Sequence, residues 1–104
     1  MFTQETTINI IQKFISACNQ KNISFNKVIL FGSAAKGNLN ENSDIDVALI
    51  SDQFSGDPFS DWHLLSPINI KFSEIEPHPF TSEYFEESDP FIEEIKRTGI
   101  EILC

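Results

Sequence analysis

Asp44 and Asp46 stand two residues apart in the run Ser43-Asp44-Ile45-Asp46-Val47-Ala48-Leu49-Ile50. Residues at i and i+2 of a strand point to the same face, so the two carboxylates crowd one side while Ile45 and Val47 face a core. Like charges that close are unfavourable unless a cation neutralises them. Mg²⁺ takes a few carboxylates and completes its shell with phosphate oxygens, and a third carboxylate would make a site for two ions about 3.5–4 Å apart. Upstream, separated from Asp44 by ten residues, lies Gly32-Ser33. Glycine lets the backbone approach a phosphate closely, and serine adds a hydroxyl to its own N–H. At a turn from strand into helix, these donors also face the positive helix end. The chemistry implied is metal-assisted handling of a nucleoside triphosphate.

The elements that must position these groups follow from hydrophobic periodicity. Ile8, Ile11, Phe14, Ile15 and Cys18 fall at helical spacing within Thr6 to Gln20, with Thr3 or Thr6 as the cap. Asn22 to Asn26 is a connection, and Lys27-Val28-Ile29-Leu30-Phe31 is a continuous apolar run of strand length, ended by Gly32. Ala34 to Ser43 is small and polar, which suits a helical turn and a loop before a second strand from Asp44 to Ser51. Gly56-Asp57-Pro58 breaks the chain, and Phe59 to Leu65 forms one or two helical turns before Pro67. Ile68, Ile70 and Phe72 alternate towards Ile75 and Glu76, predicting a third strand that stops at Pro77. Tyr84 to Lys96 is an amphipathic helix with Gly99 as its C-cap, and Ile100 to Leu103 forms a short edge strand. The expected class is α/β (α+β), one domain over residues 1–104, a small mixed sheet flanked by helices.

With its residues in this order, the sequence resembles the minimal nucleotidyltransferases of the DNA polymerase β superfamily. Their signature of Gly-Ser, ten residues and Asp-x-Asp stands here as Gly32-Ser33 and Asp44-Ile45-Asp46. Four fixed positions match by chance in roughly one chain per thousand of this length. The flanking Val28-Ile29-Leu30-Phe31, Ala35-Lys36-Gly37 and Ser43 fit too. So do Ile75-Glu76-Pro77-His78-Pro79-Phe80, Asp89-Pro90-Phe91 and Lys96-Arg97-Thr98-Gly99-Ile100. The resemblance implies the polymerase β-like fold, Mg²⁺ as cofactor with ATP as substrate, and a third metal carboxylate on the strand after Asp-x-Asp. Glu76 takes that role, with Glu74 on the same face as its competitor. Ser33 and nearby backbone donors would hold phosphates, and Asp44, Asp46 and Glu76 would hold two metal ions.

Other residues carry two readings each. Lys36 contacts the triphosphate by its family position, or is an exposed solubilising lysine. Ser43 orients the acids as a loop hydrogen-bonder and is no nucleophile, since no base stands beside it. His78 reads better as a structural or surface histidine than as a rim residue of the site, and His63 beside Trp62 is assigned nothing. Glu83, Glu86, Glu87, Asp89, Glu93 and Glu94 form a solvated helix face or dock a basic partner.

Composition bounds the partners. Of 104 residues, 16 are Asp or Glu and 7 are Lys or Arg, a net charge of −9. Such a surface repels phosphate backbones, so nucleic acid is not expected as a partner. Two cysteines give no disulfide framework. No segment reads as a signal peptide or membrane span, so the expected location is the cytoplasm. The expected activity is transfer of AMP from ATP to a hydroxyl. A length of 104 residues is expected to leave no room for an acceptor domain, so the acceptor is expected to bind to a partner chain or to be one. The resemblance implies an antitoxin that pairs with, and adenylylates, a helical toxin of the HEPN type. The alternative is a weakly catalytic binding module that neutralises such a toxin by occlusion.

Overall fold

The computed structural model describes residues 4–32, 35, 44–87 and 89–102. Its strands are β1 (Lys27–Phe31), β2 (Ile45–Ile50), β3 (Ile75–Phe80) and β4 (Ile100–Ile102), forming one sheet in the order β3-β2-β1-β4. β1 runs antiparallel to both β2 and β4, whereas β2 and β3 are parallel, so the sheet is mixed. The helices are α1 (Gln4–Gln20), α2 (Pro58–Asn69), α3 (Ser82–Glu86) and α4 (Pro90–Thr98), with a single 3₁₀ turn at Ile70–Phe72. None of the described helices is long and apolar enough to cross a membrane.

Both faces of the central strands are buried, which is why β1 reads as an unbroken apolar run. Val28, Leu30, Ile45, Val47, Leu49 and Ile75 meet Ile11, Phe14 and Cys18 of α1 and Leu65 of α2. On the opposite face Ile29, Phe31, Ala48 and Ile50 meet Phe85 of α3 and Ile92 and Ile95 of α4. Asn22 takes φ +65° after α1, and the Ile23 N–H returns to the Cys18 carbonyl. That left-handed turn suits asparagine at a helix end. Thr6 lies inside α1, and Thr3 falls outside the described residues.

The expected third strand is displaced. Ile68 belongs to α2, which continues through Pro67, and Ile70 and Phe72 lie in the 3₁₀ turn. The strand instead runs from Ile75 through Pro77 and Pro79 to Phe80. Proline is tolerated because β3 is an edge strand. The Ile45 N–H donates to the Glu74 carbonyl (2.8 Å) and the Ser51 N–H to the Phe80 carbonyl (3.1 Å). Even-numbered residues therefore turn their backbones towards β2, and both prolines turn theirs outward.

The expected single helix from Tyr84 to Lys96 is two. Proline disfavours helical backbone in the residue before it, so Asp89 stays extended and caps α4 by accepting the Ile92 N–H (2.9 Å), with Pro90 opening the helix. Gly99 does end α4, but with φ −78° and ψ 165°. Its need for glycine is spatial: an added Cβ would lie 2.4 Å from Ile29 Cγ2 and 2.5 Å from the Ile95 carbonyl oxygen.

Asp61 holds the turn into α2. Its buried carboxylate accepts from the Ser55 N–H (2.7 Å), the Ser55 hydroxyl (3.0 Å) and the Gly56 N–H (3.0 Å). Asp61→Ala strands these donors and should lower unfolding free energy by about 2–3 kcal/mol in urea titration, with Asp61→Asn losing less. Burial pushes the Cys18 thiol up to about 12, so the folded chain keeps this proton after the unfolded chain has lost it. Stability from this source is therefore complete below the ordinary thiol range and lost as pH rises above it, at up to about 1.4 kcal/mol per pH unit. Wild-type melting temperature should fall more steeply than that of Cys18→Ala between about pH 9 and 11.

Candidate active site

The parallel register sets Asp46 of β2 beside Glu76 of β3, and the antiparallel register sets Phe31 of β1 on the other side of Asp46. Two residues along β3, His78 lies opposite Ala48, whose small side chain leaves room for the imidazole. Strand periodicity turns Glu76 and His78 to the same face. Ligand atoms of Asp46, Glu76 and His78 lie within 4.8 Å of one another, and His78 Nε2 is 3.2 Å from Asp46 Oδ1. The imidazole stands edge-on against Phe31 at 5.0 Å between centroids, and Phe31 in turn meets Phe91 at 5.8 Å.

Gly32 follows β1 with φ +75°, a left-handed conformation favouring glycine. A Cβ there would lie 2.6 Å from Asp46 Oδ2. The chain thus leaves β1 in direct contact with the carboxylate at the centre of the cluster, an approach that a side chain would block.

Desolvation, then a hydrogen bond that the protonated Glu76 carboxyl donates to Asp46 and the Asp46 charge, raise Glu76 above its ordinary range; Asp44 adds to the rise and His78 opposes it. Two carboxylates can share a hydrogen bond only by sharing a proton. A divalent cation in the same place removes that requirement and neutralises the repulsion. Two carboxylates and one imidazole within reach of a single point fit such an ion.

Of the residues singled out from the sequence, Gly32, Asp46 and Glu76 come together. Asp44 is exposed just before β2 and stands outside the cluster of ligand atoms, although its charge reaches Glu76. Glu74 precedes β3 and gives its carbonyl to the first rung of the β2–β3 ladder; its side chain is not in the cluster. Ser33, Lys36 and Ser43 lie outside the described residues. His78 is the residue that sequence reasoning set aside. Its i, i+2 relation to Glu76 was the available signal, hidden by ending the strand at Pro77.

An open apolar concavity of about 610 Å³ begins at His78 and extends past Phe80 and Phe91 to Pro58, Phe59 and Trp62. Phe59 is 71% exposed, Trp62 46% and Phe91 47%, so large rings face solvent immediately beside the ionisable cluster. Replacing Gly32 by alanine tests the contact between the turn and the carboxylate. The variant should lose about 1–2 kcal/mol of stability from left-handed strain. Calorimetric titration should also show weaker divalent-ion binding as Asp46 is displaced.

Residues 12–104 match the family model described as "Polymerase beta, Nucleotidyltransferase". A crystal structure from Sulfolobus solfataricus, described as a "putative nucleotidyltransferase", superposes with a TM-score of 0.70. It shares 13% identity, with 94% of this chain and 80% of that chain covered. No curated protein matches the sequence. At that identity the superposition supports the fold, while the family match spans all four strands and every residue of the cluster. With its mixed sheet, its flanking helices and that match, the chain belongs to the polymerase β nucleotidyltransferase family.

Proposed function

We propose that this nucleotidyltransferase moves AMP from ATP to a hydroxyl group on a partner protein, and that it acts as the antitoxin of a helical HEPN-type toxin. The observation that carries the chemical part is the convergence of Asp46, Glu76 and His78 beside the turn at Gly32. Asp46 and Glu76, with Asp44 near by, would hold Mg²⁺ or a related ion; when bound, it screens the charge on the triphosphate. Gly32 would open the phosphate approach; Ser33 and Lys36 are assigned to the phosphates, and Ser43 belongs to the nucleotide site by orienting the acids.

The acceptor hydroxyl oxygen attacks the α-phosphorus and forms a new P–O bond. The bond from that phosphorus to the bridging β-phosphate oxygen breaks, and pyrophosphate leaves with the electron pair. The hydroxyl proton passes to a Glu76 carboxylate oxygen, which stands beside the site where the acceptor would be positioned. The enzyme's own part is chiefly alignment and charge neutralisation, as in other phosphoryl transfers.

A protein acceptor is favoured by the apolar concavity beginning at His78. Exposed rings of Phe59, Trp62 and Phe91 give a folded partner a surface to bury, and large rings are common anchors in protein interfaces. The net charge of −9 favours a partner with a basic rim. The test is incubation with α-labelled ATP, Mg²⁺ and the product of the adjacent gene. Label should pass to that protein with the wild-type chain and drop to background with Asp44→Asn/Asp46→Asn, which keeps its fold and melts no lower without metal. Complex formation without label transfer by the wild-type chain would instead support neutralisation by occlusion.

A further inference from the structure

We propose that His78 is a nitrogen ligand of the metal ion, and that it biases the site towards ions such as Co²⁺ or Zn²⁺ relative to Mg²⁺. The inference rests on the metal-dependent reading of the site and goes beyond it in assigning the third donor and the ion class. Its basis is the mixed donor set: one carboxylate from β2, one from β3 and the imidazole two residues further on β3, all with ligand atoms within 4.8 Å.

Two donors on one ion with bonds of about 2.0–2.2 Å lie about 3.0–3.5 Å apart. His78 Nε2 and Asp46 Oδ1 stand at 3.2 Å, so both can bind one ion with little movement. The imidazole is also held in place: Phe31 supports one edge of the ring, and Ala48 leaves the space opposite. Mg²⁺ is a hard cation that prefers oxygen and retains its waters. Imidazole favours later divalent metals, whose affinities rise from Mn²⁺ through Co²⁺. A carboxylate-only site would weaken this discrimination. His78 that merely hydrogen-bonds Asp46 would position a ligand without altering the choice of metal.

The experiment titrates CoCl₂ and MgCl₂ separately into the full chain by calorimetry, for wild type, His78→Ala, His78→Gln and Asp46→Asn. Visible absorption of the Co²⁺ form reports its ligand field, and melting curves report folding. His78→Ala should weaken Co²⁺ binding about tenfold or more while changing Mg²⁺ binding less than about threefold, and should alter the Co²⁺ spectrum. His78→Gln, which keeps bulk and polarity, should shift the Co²⁺/Mg²⁺ ratio in the same direction and carries the comparison if the alanine variant does not fold. An unchanged ratio and spectrum, with Asp46→Asn still abolishing binding of both ions, overturns the role of His78 and leaves the metal-dependent reading standing. Failure of wild type to bind either ion overturns both.

Discussion

The parallel pairing of β2 with β3 is the constraint on which the site depends, because it forces Asp46 and Glu76 to be neighbours. With ligand atoms within 4.8 Å of one another, their repulsion when both are ionised is worth roughly 1–4 kcal/mol between aqueous and near-surface dielectric conditions. On the reverse of the same strands, Ile45, Val47 and Ile75 are almost fully buried. At about 1.5–3 kcal/mol for each side chain, their burial outweighs that repulsion. A slip of one residue would turn the acids into the core and the apolar side chains into solvent. The core therefore specifies the register, and the register holds together charges that would otherwise separate.

The two faces of the sheet are covered unequally. α1 and α2 close one face over the central strands. On the other, Phe85 of α3 and Ile92 and Ile95 of α4 cover Ile29, Phe31, Ala48 and Ile50. Pro90 opens α4, and the chain enters that helix with Phe91 half-exposed against Phe31 and Phe80. The carboxylates lie on this second face, at its end, where Asp46 is paired with buried Phe31. The same aromatic residues that finish the core thus make a wall for the ionisable cluster.

Much of this arrangement was legible in the residues. β1 and β2 came from one continuous and one alternating apolar pattern, and the expected helix at the start corresponds to α1. Asp46 and Glu76 followed from spacing and family likeness, and their meeting depends on a register that no local pattern encodes. The departures turn on proline in two opposite ways: Pro67 and Pro77 do not end the elements expected to stop there, and Pro90 divides the helix expected to run through it. Pro67 falls within the last turn of α2, and Pro77 and Pro79 occupy an edge strand with their backbones turned outward. Ending β3 at Pro77 removed His78 from the face of Glu76. Pro90 did mark a boundary, at the start of α4, because Asp89 was available to cap it.

The prolines of β3 also govern how the molecule meets other molecules. An unprotected sheet edge invites a stray strand to add itself through amide hydrogen bonds. At positions 77 and 79 the outer side of β3 has carbonyls but no amide hydrogens to offer. A second copy therefore finds no regular template there and cannot extend the sheet across the flank of the cluster. Recognition along that border must proceed through side chains, which distinguish one partner from another far better than a backbone ladder can. A device against self-association thereby leaves the chemical groups open to selective encounter.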